Sequence, residues 1–138
     1  MHRILYISTA RKVLDPFELE ILLAISRRNN AQAGVTGLLV AGGRRFLQVL
    51  EGPSDAVRHT FERIEQDPRH FALVTLADGS TDTRQLKQWS MGFEKGAVAK
   101  EEDSLENQVA ALIAPLKDRN LQAYFVGFAK SHGSVPAR

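Results

Sequence analysis

Val35 to Pro53 reads "VTGLLVAGGRRFLQVLEGP", two runs of strand-forming residues joined at Gly42-Gly43 and stopped by Gly52-Pro53. Adjacent glycines supply the backbone angles of a tight hairpin, so Val35–Ala41 and Arg44–Glu51 are expected as consecutive strands. Alternation along the latter puts Phe46, Gln48 and Leu50 on one face and Leu47, Val49 and Glu51 on the other. Gln48 therefore shares a face with two large apolar groups, and an amide left unpaired there costs roughly 1–3 kcal/mol. Something polar must face it.

Outward from the hairpin the pattern repeats. Arg3–Ser8, "RILYIS", reads as a first strand. A helix follows it, with Asp15 as N-cap, Pro16 at the first helical position, Glu18 three residues after the cap, and Phe17, Ile21, Ala24 and Ile25 as its expected buried stripe. Beyond the hairpin, Ser54 is the expected cap of a second helix with Val57, Phe61 and Ile64 buried, ending before Pro68. Phe71–Ala77, "FALVTLA", is a fourth strand and "QWSMGFE" a fifth, with Trp89 and Met91 on one face.

This order is the split βαβ arrangement of an α+β, ferredoxin-like βαββαββ fold: a mixed sheet with both helices on one face. The first and third strands are expected as neighbours running parallel, which lets Tyr6 meet Gln48. Helices on one side leave an apolar sheet face open. Two stripes in the tail, Leu105/Val109/Leu112/Ile113/Leu116 and Leu121/Tyr124/Phe125/Phe128, are expected as two C-terminal helices that cover it or form an oligomer interface.

Composition narrows the function classes. With 138 residues, 43% of them apolar and 25% charged, the chain suits a globular domain with a real core. Its 18 basic and 16 acidic side chains are scattered, which argues against a nucleic-acid surface. No apolar run reaches the ~20 residues of a membrane span, "MHRILYIS" lacks the apolar stretch of a signal peptide, and a cytoplasmic location is the expectation. The absence of cysteine excludes disulfides, thiolate metal sites, cysteine nucleophiles and cysteinyl cofactor bonds. His2, His59 and His132 are too dispersed to suggest a metal site.

Taken in order, Tyr6, "SRRNNAQAGVTGLL", "FLQVLEGP", "DPRH" and "WSMGF" resemble the BLUF family of flavin-binding blue-light receptors, over about Met1–Glu94. The resemblance implies FAD held without a covalent bond, its ring between the two helices, in a photosensor domain spanning 1–96 with a helical extension over 97–138. It implies Tyr6 as the photochemical donor and Gln48 as the switching amide, bonded to Tyr6 on one side and to the flavin N5/O4 edge on the other. Asn30 is then the contact for the flavin's pyrimidine edge, with Asn29 a second contact, and Asp67, Arg69 and His70 lie near the ring and ribityl chain. Trp89 and Met91 match the pair that relays the state of the glutamine. Val35 and Val40 depart from the commoner isoleucine and tyrosine, without loss of a polar contact.

Such a protein is a receptor and not an enzyme, passing its signal to a separate protein effector or through self-association. Each residue alone has a plainer explanation: Tyr6 as a satisfied core tyrosine, Asn29-Asn30 as helix-end residues, Trp89 as a core anchor. Their joint order favours the family. The rivals are a flavin-free ferredoxin-like enzyme, for which no anion cradle or nucleophile–base pair stands out, and an RNA-binding domain, whose aromatic strand pattern "FLQVLEGP" lacks.

Overall fold

In the computed structural model the strand β1 (His2–Ala10) lies between β3 (Arg45–Gly52) and β4 (His70–Ser80), in a sheet ordered β4-β1-β3-β2-β5. The outer members on the β3 side are β2 (Thr36–Gly42) and β5 (Gly92–Lys95). Among the described residues the helices are α1 (Pro16–Ala33), α2 (Ser54–Glu65) and α3 (Arg119–His132). The structure describes residues 1–12, 15–42, 44–82, 84, 92–95 and 118–132. Most of the expected fifth strand, with Trp89 and Met91, and the whole first tail helix lie outside them.

β1 and β3 are neighbours as expected, but they run antiparallel and not parallel, with Tyr6 opposite Gln48 and Arg3 opposite Glu51. Topology requires this. A helical crossover returns the chain in the direction in which it left, so β1 and β2 point the same way, and the hairpin then reverses β3. The sheet is mixed because β2 and β5 pair in parallel. Along the edge, β4 pairs with β1 through irregular register, and Ala72 within it takes a positive φ of 54°. Such a bulge twists an edge strand and discourages pairing with another chain.

Local chemistry accounts for α1. Asp15 accepts from the Glu18 N–H at 2.8 Å while Glu18 accepts from the Asp15 N–H at 3.3 Å, a complete capping box ahead of Pro16. Gly34 closes the helix in the left-handed region, φ 74°, where an L side chain would be strained. The buried stripe differs from expectation: Phe17, Ile21 and Ile25 are among the exposed large hydrophobics, and Leu23 and Asn30 face inward. The first half of α1 is apolar almost all round, so periodicity alone does not choose its inner face. In α2, Pro53 and not Ser54 occupies the N-cap, with its carbonyl accepting from Val57 N–H at 2.9 Å and no side-chain cap bond. Ser54 is the first helical residue.

Two cores lie on opposite faces of the sheet. Ile4, Tyr6, Leu39 and Leu50 pack with Leu23 of α1 and Val57 of α2 on one side. Leu5, Leu38, Val40, Leu47 and Val49 pack with Leu121, Phe125, Phe128 and Ala129 of α3 on the other. The expected covering of the open face is thus present in α3, although Tyr124 of its predicted stripe is 41% exposed. No described helix is long and apolar enough to cross a membrane.

Candidate functional site

Strand alternation sets the floor of the site. Tyr6 and Ser8 of β1 and Gln48 of β3 point to the side of the sheet bearing α1 and α2, where all three are buried. A cavity of about 280 Å³ opens above them between the helices. Leu22, Ser26, Asn29 and Asn30 supply the α1 wall, and Thr60, Arg63 and Ile64 the α2 wall. Every polar residue expected in the site that falls within the described residues lines this one cavity: Tyr6, Asn29, Asn30, Gln48, Asp67, Arg69 and His70.

Two of these are amides withdrawn from water, Gln48 at 8% exposure and Asn30 at 2%. Asn30 is held in place by its own backbone, whose carbonyl accepts from the Val35 N–H at 2.8 Å as the helix ends. Arg84 pins the same turn from beyond β4, donating through Nη2 to the Gly34 carbonyl at 2.9 Å and through Nη1 to Thr36 Oγ1 at 2.8 Å. Opposite, the Tyr6 ring packs on Phe61 with centroids 5.3 Å apart and planes tilted by 59°.

Burial pushes the Tyr6 phenol well above its ordinary range, and the negative charge of Asp67 adds to the shift. Tyr6 therefore keeps its proton throughout the physiological range. At the mouth, Arg69 donates to Asp67 from its backbone N–H and from Nε, both at 2.9 Å to Oδ1, and from Nη2 at 2.5 Å to Oδ2. These side-chain bonds hold the Asp67 carboxyl below the usual carboxylate range, against the opposing effect of partial burial. His70 donates from Nε2 to the Ile64 carbonyl at 2.6 Å, which ties the start of β4 to the end of α2.

What such a chamber can hold follows from its lining. Leu22, Leu39, Phe46 and Ile64 suit a flat apolar body, while Gln48 and Asn30 bring to the lining two amides, a group type that both donates and accepts. The volume lies near the ~300 Å³ lower end for small-molecule sites, room for a ring system and not for a whole dinucleotide. Arg63 adds a cation to the α2 side of the lining, and Arg69 is paired with Asp67.

Ser8, Ser26, Thr60 and Arg63 also line the cavity, without having been singled out in the sequence. The signal for Ser8 was present, since it follows Tyr6 by two along a strand. Ser26 precedes Asn29 and Asn30 by one helical turn, and Thr60 lies between Val57 and Ile64 at helical spacing.

A family profile described as "BLUF: Sensors of blue-light using FAD" matches residues 1–92. Subunit beta of the photoactivated adenylate cyclase of Euglena gracilis is 41% identical over 71 residues, covering 51% of this chain and 8% of that protein. The blue light- and temperature-regulated antirepressor BluF of Escherichia coli is 42% identical over 59 residues, 43% of this chain and 15% of that protein. The chain thus spans only a small part of the length of these curated relatives. Among solved structures, BlrB, a BLUF protein in its dark state, superposes with a TM-score of 0.70 at 25% identity, covering 94% of this chain and 96% of that one. BlrP1 of Klebsiella pneumoniae shares the fold at a TM-score of 0.79 and 23% identity, covering 94% of this chain and 34% of that one.

Proposed function

The chain belongs to the BLUF family, sensors of blue light using FAD, and from that membership we propose that Tyr6 and Gln48 form its photochemical switch. The observation that carries the reading is their register: phenol and amide are direct cross-strand partners, both buried, on the floor of a cavity that fits a flat ring. Asn30 and Asn29 would hold the polar edge of the cofactor, and Asp67, Arg69 and His70 would border it at the mouth.

FAD, when bound and excited by blue light, supplies a strong acceptor for one electron. Tyr6 is the donor, because a phenol gives a delocalised radical and can release its hydroxyl proton at the same time. Gln48 passes that proton on, since a neutral amide both donates and accepts and carries no charge whose burial would be costly. Tyr6 would regain both electron and proton, so that no oxidant would be consumed. Gln48 need not regain its first orientation. Exchanging its Oε1 and Nε2 changes no volume, and the two settings differ by a few hydrogen bonds worth about 1 kcal/mol each, which permits thermal reversal in the dark.

Trp89 and Met91 are the proposed readers of this change, and the signal passes by contact to a protein effector or through self-association. Purified protein should be yellow and release FAD on denaturation, and blue light should shift its absorption reversibly to the red. A preparation that stays colourless after refolding with FAD overturns the proposal.

A further inference from the structure

Behind the floor of the cavity lies a second polar system that the photochemistry does not use. Glu51 follows Gln48 by three residues on β3, so its side chain leaves the opposite face of the sheet, where it is fully buried. Arg3, its direct partner on β1, donates to Glu51 Oε2 from Nε at 3.0 Å and from Nη2 at 2.7 Å. The remaining arm of the same guanidinium, Nη1, reaches Asp118 Oδ2 at 2.8 Å. Asp118 in turn accepts from the Leu121 N–H at 3.1 Å through Oδ1, which makes it the cap of α3. One planar cation thus joins the strand bearing Gln48 to the first turn of the C-terminal helix.

The two joints of this chain are unequal. The Glu51 carboxylate has no access to water and takes two charged hydrogen bonds from Arg3, so drawing Arg3 away from it costs a buried ion-pair contact that water cannot replace. Asp118 keeps 35% of its side chain exposed, so water can replace Arg3 at little cost. Elsewhere α3 rests on Leu5, Leu38, Val40, Leu47 and Val49 through apolar contact, which is non-directional and tolerates small displacements. Charged hydrogen bonds are directional and fall off steeply when misaligned. A small shift of β3 would therefore be transmitted at the Arg3–Asp118 joint before it disturbs the apolar contact.

We propose that Arg3 is the joint through which the strand bearing Gln48 governs the docking of α3, with the Arg3–Asp118 bond as the part that yields in light. This rests on the switch reading above. Asp118→Asn isolates the bond, because asparagine caps a helix as well as aspartate does and only the charge pairing is lost. Arg3→Lys is the second variant: it preserves the charge beside Glu51 but has no fork with which to bridge two carboxylates.

Backbone hydrogen exchange of residues 119–123 is measured in dark and under blue light, with the absorption spectrum recorded on the same FAD-loaded samples. In the parent protein, exchange is expected to accelerate about tenfold on illumination, the factor for losing one charged hydrogen bond at a helix end. Both variants should exchange at the faster rate already in the dark, show no further change in light, and still form the red shift. The joint is disproved if the parent red-shifts without any change in α3, or if the variants keep the parent's light-dependent difference. A parent with no red shift at all defeats the switch reading itself, and this proposal with it.

Discussion

Tyr6 on β1 and Gln48 on β3 are direct cross-strand partners, and neither is more than 8% exposed. Opposed residues of an antiparallel pair have Cα atoms about 4.5–5.5 Å apart, so the register alone brings phenol and amide together without help from a loop. Tyr6→Phe and Gln48→Leu preserve volume while removing the hydroxyl and the amide. Both variants should bind FAD and lose the reversible red shift, read as a light-minus-dark difference spectrum. A normal photocycle in either would remove that residue from the switch.

Asn30 is the most buried polar group of the α1 wall. Asn30→Ala removes a side chain able to donate and accept, and should weaken FAD retention by about 1–3 kcal/mol, some five- to 150-fold in Kd. Flavin fluorescence titration checks it. Unchanged affinity would place the pyrimidine edge elsewhere.

Acid and base should act through different residues. Asp67, bonded by Arg69, and Asp118, bonded by the Leu121 N–H and by Arg3, both have carboxyls held below their ordinary values. Each contributes stability that is complete above about pH 4, the unfolded value, and is lost as pH falls through the folded one. Tyr6 is displaced upward, so its contribution is complete below about pH 10 and is lost as pH rises further. Urea midpoints across the pH range should show both limbs. Asp67→Asn should shallow the acid limb, and Tyr6→Phe the alkaline one.

Gly52 is held by crowding. A Cβ at this position would stand 2.8 Å from the Gly34 carbonyl oxygen and 3.2 Å from Val35 Cα, both backbone atoms that cannot swing aside. Gly52→Ala should destabilise by about 1–3 kcal/mol in urea unfolding, as overpacking does elsewhere. Retained stability would mean that the α1–β2 turn can move away.

Ala72 presents the opposite case, an L residue at φ 54° on an edge strand. Relief of that conformation outweighs the extra chain entropy of glycine, so Ala72→Gly should stabilise by about 0.5–1 kcal/mol. The thermal midpoint should rise correspondingly, and a fall would argue that the methyl group packs favourably.

Much of this architecture was legible in the residues themselves. The capping box at Asp15 and Glu18, the glycine that ends α1, and the alternation that aims Gln48 inward are local effects, and local chemistry predicts them. The direction of β1 against β3 is a property of the path, which alternation does not report. The inner face of α1 differs from the expected stripe because apolar residues surround the helix, so that the choice falls to the tertiary contacts of Leu23 and Asn30. Thr60 and Ser26 carry no such signal, because a small hydroxyl on a helix has many ordinary uses.

The sheet is one backbone thick, and neighbours along β1 belong to different compartments: Tyr6 to the chamber, Leu5 to the platform under α3. No side chain of β1 or β3 can serve both. The two faces are therefore separable by inheritance: the tail could be exchanged for another apolar helix with the chamber untouched, provided that some residue still pairs with Arg3 on that face.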